Sequence, residues 1–131
     1  MKNILITGGA GFVGCNTAKY FMDFPEFHVI VFDNLSRKGT DKNLDWLKKG
    51  GSFTFINGDI RNRNELDSIF NEYTVYAVIH LAAQVAVTTS VINPLEDFEV
   101  NAIGTFNLLE ATRESKQKPV FIYSSTNKVY G

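Results

Sequence analysis

The sequence predicts a doubly wound α/β fold, a parallel sheet with helices on both faces. Three observations carry that prediction. Five short, almost wholly apolar runs alternate with longer amphipathic stretches. The first run breaks into a glycine-rich turn that opens directly into a helical pattern. The later runs end on polar residues, where open α/β sheets present groups to a ligand. The chain has 131 residues, which fits one domain, and no linker or internal repeat divides it.

The elements follow in order. Residues 3–7 (NILIT) read as the first buried strand. Residues 12–24 read as a helix, with Val13, Thr17 and Phe21 four apart on one face. Residues 27–32 (FHVIVF) are the second strand. Asp41 is a candidate cap for a short helix to Lys49, ended by Gly50-Gly51. Residues 52–57 (SFTFIN) are the third strand, and Asn62 or Asn64 starts the next helix, to about Phe70. Residues 75–81 (VYAVIHL) are the fourth strand. A long helix follows Asn93-Pro94, with proline in its first turn, and runs to about Ser115. Residues 119–124 (PVFIYS) are the fifth strand. Right-handed crossovers then favour the strand order 3-2-1-4-5.

The long helix carries two apolar sets. Leu95, Phe98, Ala102, Phe106 and Leu109 form a stripe expected to face the sheet. Val100, Ile103 and Leu108 lie off it. They are either ordinary exposed apolar side chains or a second buried face, such as a subunit interface.

Composition excludes several function classes. Hydrophobic residues are 44 % and charged residues 21 %, with a net charge of −1, so no nucleic-acid or anionic-membrane partner is expected. The basic pairs Arg37-Lys38 and Lys48-Lys49 are isolated and read as solvated surface. A single cysteine, Cys15, allows no internal disulfide. The opening MKNILIT is too short an apolar run for a signal peptide, and no run reaches membrane-spanning length, so a cytoplasmic location is expected. Cys15 and His28 have no partners at metal-ligand spacing, so no metal site is expected.

The chemistry begins at residues 7–14, Thr-Gly-Gly-Ala-Gly-Phe-Val-Gly. Gly9, Gly11 and Gly14 satisfy G-x-G-x-x-G, and Gly8 adds another glycine. Such a turn brings backbone close to a pyrophosphate, and Gly14 lets the helix pack tightly. The helix N-terminus offers free N–H groups and partial positive charge to phosphates. A strand before it and a helix after it raise this pattern to a Rossmann-type dinucleotide site. Asp33 ends the second strand, 19 residues past Gly14. A carboxylate there accepts from both adenosine ribose hydroxyls and repels a 2′-phosphate, which favours NAD over NADP. Arg37 and Lys38 stand close enough to oppose that preference. A turn-forming role is the alternative for Asp33.

Other strand ends add to the same crevice. Asp59, in Asn57-Gly58-Asp59-Ile60, can accept from an adenine amino group. His80-Leu81-Ala82-Ala83-Gln84 offers small residues beside the cofactor backbone. Asn101 is a poor helix former inside the long helix, which suggests a specific hydrogen bond. Ser124-Ser125-Thr126 places hydroxyls at the edge of the sheet.

TGGAGFVG, FDNLS, GDIRN, HLAAQ, NAIGTFNLLEA and YSSTNKVYG span nearly the whole chain. Together they resemble the extended short-chain dehydrogenase/reductases of the NAD-dependent epimerase/dehydratase family. FDNLSRKG, QVAVTTS and SSTNKVYG resemble its nucleotide-sugar epimerases, with a CDP-sugar as the favoured substrate. The resemblance implies that Gly8, Gly11, Phe12, Val13 and Gly14 meet the pyrophosphate. It implies that Asp33, Asn34, Leu35, Ser36 and Arg37 surround the adenosine ribose, with Asp59 and Ile60 framing adenine. Leu81, Ala82, Ala83 and Gln84 would lie along the pyrophosphate and nicotinamide ribose. Asn101 would fix the loop after strand four, and Ser124 would lie near the nicotinamide. Thr126 matches the catalytic Ser/Thr that holds the reacting sugar hydroxyl. His80 invites a catalytic role, but the family's base is a tyrosine, and a structural strand-end role is the expectation.

That tyrosine lies in Tyr-x-x-x-Lys, whose lysine lowers its pKa. No such motif follows Thr126, and Tyr73 is followed four positions on by Ala77. The expectation is therefore an N-terminal fragment, residues 1–131, ending after strand five, inactive by itself and self-associating through exposed apolar surface. The resemblance implies oxidation of a ring carbon to a keto sugar and return of the same hydride to the opposite face. A 4,6-dehydratase is disfavoured, since Thr126 is followed by Asn127-Lys128 rather than Asp-Glu. A non-catalytic NAD-binding module is the remaining alternative.

Overall fold

A computed structural model describes residues 1–130; Gly131, the last residue of YSSTNKVYG, and the side chain of Asn127 lie outside the described residues. The elements are β1 (Lys2–Thr7), α1 (Phe12–Met22), β2 (Phe27–Asp33), α2 (Thr40–Gly50), β3 (Thr54–Asn57), α3 (Arg63–Glu72) and β4 (Val75–His80). Then come α4 (Val87–Ile92), α5 (Pro94–Phe98), a π-helical turn (Glu99–Ile103), α6 (Gly104–Glu114), β5 (Val120–Tyr123) and a 3-10 turn (Asn127–Tyr130). The five strands form one parallel sheet in the order β3-β2-β1-β4-β5, as expected. Its centre is buried on both sides, which is why these strands read as continuous apolar runs.

Alternate residues of each strand face opposite layers. Leu5, Ile30, Phe32 and Val78 pack with Leu66, Ile69 and Phe70 of α3 and Leu108 and Ala111 of α6. Ile4, Ile6, Val29, Val31 and Ile79 pack on the other face with Ala18 of α1 and Leu44 and Leu47 of α2. Thus α1 and α2 cover one face, and α3 and α6 the other.

Several local expectations change. The stripe assigned to the sheet points outward: Leu95, Phe98, Phe106 and Leu109 are 64, 57, 61 and 44 % exposed, and Ala102 is exposed too. The face that meets the core is Val100, Gly104, Leu108 and Ala111. The reason is a close approach. A Cβ on Gly104 would stand 2.6 Å from the Ile60 side chain, so the inner face is built from small residues and the bulky stripe lies opposite. The long helix is also not uniform, since its second turn is π-helical. In α1 the core-facing residues are Gly14, Cys15 and Ala18, while Val13 is exposed. Asp41 sits in the first turn of α2, which begins at Thr40 after Gly39; the Thr40 hydroxyl donates to the Arg37 carbonyl at 2.7 Å. At the start of α3, the Asn62 side chain donates to Glu65 rather than capping the helix. The short helix α4 was not anticipated.

No helix among the described residues is long and apolar enough to cross a membrane. No cluster of three or more potential metal-ligating side chains occurs among them.

Candidate dinucleotide site

The crevice lies at the carboxyl ends of β1, β2 and β4. Its floor is the glycine turn. Gly8 has φ +67°, and a Cβ there would stand 2.7 Å from the Ala82 nitrogen. The turn thus needs the left-handed region at Gly8, and the loop after β4 rests directly on its backbone. A Cβ on Gly14 would stand 2.1 Å from the Gly8 carbonyl oxygen, so the first turn of α1 presses against the same peptide. Gly11 precedes α1 and lines the crevice. Phe12 and Val13 turn their side chains to solvent, at 79 and 59 % exposure, so their contribution inward is backbone N–H. These N–H groups have no intrahelical acceptor and sit at the positive end of the helix dipole.

Asp33 joins two segments. Its Oδ2 accepts from the Ala10 amide at 3.0 Å, and its Oδ1 from the Leu35 amide at 2.8 Å. The Leu35 bond is the turn-forming role, and it coexists with ligand capacity, because a carboxylate offers about four acceptor positions. Leu35 has φ +58°, an uncommon conformation for a branched residue. It is held there by the Asp33 bond, by a second bond from the Ser36 amide to Asn34 Oδ1 at 3.0 Å, and by its side chain packing on the core.

Asp59 is more fully engaged. Its Oδ1 accepts from the Arg61 amide at 2.9 Å and Nε at 3.0 Å. Its Oδ2 accepts from an Arg61 terminal nitrogen at 2.8 Å and Asn34 Nδ2 at 3.1 Å. Hydrogen bonds from the Arg61 guanidinium hold the carboxyl down to about 2. All of its acceptor positions are filled, so an adenine amine would have to displace the Asn34 amide. Asn107 holds the same loop from α6: its Nδ2 donates to the carbonyls of Ile60 at 3.1 Å and Arg61 at 3.2 Å.

The loop after β4 is tied at both ends. Asn101, in the π-helical turn, accepts from the Gln84 amide at 2.8 Å and donates to the Gln84 carbonyl at 3.1 Å. Its Nδ2 also donates to Asp97 Oδ1 at 3.1 Å, which takes a bond from the Ser90 hydroxyl at 2.8 Å. At the near end, Leu81 and Ala82 donate to Thr7 Oγ1, each at 3.2 Å. His80 lies behind them, with Nδ1 2.6 Å from Thr7 Oγ1 and Nε2 2.8 Å from Thr105 Oγ1. Burial pulls its pKa down to about 4.

The crevice encloses about 400 Å³. Gly8, Gly11, Asp33, Asn34, Ser36 and Arg37 line one side. Asp59 and Ile60 line it as well, as do Leu81, Ala82, Ala83 and Gln84. Gly14, Leu35 and Asn101 shape it from behind. Ser124 and Thr126 lie outside it, exposed beyond β5. The Ser124 amide donates to the His80 carbonyl at 3.4 Å, and Thr126 Oγ1 accepts from the Lys128 amide at 3.3 Å. The structure adds Arg61, Thr89, Glu96 and Val100 to the lining. Asn107 carried the same signal as Asn101, a poor helix former within a helix. Arg61 and Thr89 lie within GDIRN and QVAVTTS, and Val100 was one of the apolar residues off the stripe, but nothing in the sequence marked Glu96.

The residues present fit a dinucleotide: a backbone cradle that side chains would fill, a helix N-terminus above it, and a carboxylate with spare acceptors where a ribose would stand. The GDP-mannose 4,6 dehydratase family model matches residues 5–131. CDP-paratose 2-epimerase of Salmonella typhi is 52 % identical over 128 residues, 98 % of this chain and 38 % of that protein. The UDP-Glc/GlcNAc 4-epimerase of Campylobacter jejuni superposes with a TM-score of 0.89 at 33 % identity, covering 100 % of this chain and 39 % of that one. The UDP-glucose 4-epimerase of Brucella ovis, solved in complex with NAD, gives a TM-score of 0.82 at 33 % identity, covering 100 % and 38 %. The chain therefore spans about two-fifths of the length of these relatives. The fold, the crevice and these matches lead to one assignment: the chain belongs to the GDP-mannose 4,6-dehydratase family of NAD-dependent sugar-nucleotide epimerases and dehydratases.

Proposed function

We propose that the chain forms the NAD-binding part of a cytoplasmic CDP-paratose 2-epimerase. Its 52 % identity to an enzyme of that name, against 33 % to the UDP-sugar 4-epimerases above, carries the choice of substrate. Asp33 carries the choice of cofactor, because its carboxylate lines the crevice between the glycine turn and the Leu35 loop, with acceptor capacity beyond its bonds to Ala10 and Leu35.

In this reading the amides of Phe12 and Val13 hold the pyrophosphate, and Asp33 takes the ribose hydroxyls. Ile60 packs on adenine, and Asp59 receives its amine once Asn34 swings away. The loop Leu81–Gln84 lies along the nicotinamide ribose, and Ser124 borders the ring. NAD, when bound there, would supply the hydride-transfer chemistry at the sugar carbon. Thr126 holds the reacting hydroxyl by a hydrogen bond and so orients the C–H bond. No tyrosine among residues 1–131 stands four before a lysine of the same stretch, and this reading assigns the proton transfer to no residue among them. The outward apolar side chains of α5 and α6 support association with a second copy.

The test offers CDP-paratose and UDP-galactose separately to the natural full-length protein carrying this sequence. Inversion of the CDP-sugar at C2 is expected. Turnover of the UDP-sugar alone overturns the substrate assignment.

A further inference from the structure

His80 is a buried ionisable side chain that the proposed chemistry leaves unused. It ends β4, is 2 % exposed, and stands behind the crevice wall rather than in it. The polarity of its hydrogen bonds defines a task for it. Thr7 is completely buried, out of reach of bulk water. Its hydroxyl oxygen lies 3.2 Å from the amide nitrogens of Leu81 and Ala82, and amides can only donate. Leu81 shares its N–H with the Thr7 carbonyl at 3.1 Å, while Ala82 directs its N–H to the hydroxyl. With its lone pairs engaged, the hydroxyl has one proton left and one remaining neighbour, His80 Nδ1 at 2.6 Å. Nδ1 must therefore accept. The ring proton is then on Nε2, which donates to Thr105 Oγ1 at 2.8 Å.

The chain of bonds runs from α6 through the end of β4 to the end of β1, and terminates on the loop that touches Gly8. The other faces of the ring meet Phe121 and Tyr123 of β5, at centroid distances of 6.2 and 5.8 Å. The Tyr123 phenol is thus the titratable group in ring contact with it, and no salt bridge among the described residues involves His80. A proton on Nδ1 would aim a third donor at the Thr7 oxygen and release the Ala82 amide.

We propose that His80 is a positioning residue: its Nε2–H tautomer directs the Thr7 hydroxyl and so seats Leu81 and Ala82 against the glycine turn for the cofactor backbone. The seating rests on the reading of the crevice as a dinucleotide site. The tautomer does not.

Two measurements test it. Long-range ¹H–¹⁵N correlation on histidine-labelled protein reads the tautomer directly, and a pyridine-like Nδ1 with a protonated Nε2 is expected at pH 7. NAD titrations of two variants then read the seating. In His80→Asn the side-chain oxygen can stand near Nδ1 and accept from Thr7. In His80→Gln the polar atoms reach towards Thr105 and leave Thr7 without its acceptor. His80→Asn is expected to stay within about threefold of wild type, and His80→Gln to bind roughly tenfold more weakly, the size of one lost hydrogen bond. Protonation on Nδ1 overturns the polarity argument, whether or not either variant folds. Equal affinity in both folded variants and wild type overturns the seating. Wild type that binds no NAD overturns the dinucleotide reading, and the tautomer result separates that failure from the first.

Discussion

The end of the crevice at Asp33 and Asp59, where the proposed reading sets the adenosine, and the exposed edge at β5 outside the crevice are built differently. At the adenosine end the protein orders its own polar groups. Asp33 is bonded through both oxygens, Asp59 receives four donors, and Asn107 fixes the loop between β3 and α3. At β5, Val120, Ile122 and Tyr123 are 55, 50 and 58 % exposed, and the bonds at Ser124 and Thr126 are 3.4 and 3.3 Å long. β5 is also an edge strand. In the proposed reading, cofactor binding and sugar chemistry are separable. The first is preorganised by β1, β2 and their loops. The hydroxyls that the reading assigns to the second stand on an exposed edge.

The largest break in this contrast is expected from Gly14→Ala. Its Cβ would meet the Gly8 carbonyl at 2.1 Å, and neither backbone can yield without moving α1. A loss of about 3 kcal/mol is expected in urea unfolding, with NAD binding abolished. A near-neutral result would mean that the turn is softer than the adenosine end requires.

Acid should loosen the Leu81–Ala82 wall of the crevice through His80. Its pKa falls from 6.5 to about 4 on folding, so between those values the unfolded chain binds the extra proton. Stability from this group is complete above pH 6.5 and is lost as pH falls through about 4, on the order of 3 kcal/mol in all. Urea titrations at intervals across that range should show the slope, and His80→Asn should flatten it. An unchanged slope in the variant would assign the acid sensitivity elsewhere.

Thr126→Ala should do least. Its side chain is exposed at the β5 end, so a stability change within about 0.5 kcal/mol and an NAD affinity within about twofold are expected. A large loss of affinity would show that the two ends are not separable.

Much of this was legible in the sequence, for a physical reason. Strands buried on both faces announce themselves as apolar runs, so the strand order followed from their spacing and the crossover rule. Asp33 was legible because a turn, a strand and an acid recur at fixed spacing. The inner face of α6 was not. Its contact residues are small because the helix lies so close to Ile60, while hydrophobic bulk marks the opposite face. The His80 network was also hidden, since it depends on a threonine 73 positions away and on the direction of each hydrogen bond. The saturation of Asp59 depends on Arg61 and Asn34 converging, which no spacing reveals.

The central claim is that the carboxylate of Asp33, rather than the neighbouring Arg37 and Lys38, selects the cofactor. Titrating the chain with NAD and with NADP, in wild type and in Asp33→Asn, tests it most directly. Saturable NAD binding is expected, with NADP weaker by about tenfold or more and a narrowed gap in the variant. NADP binding as tight as NAD in wild type would contradict it.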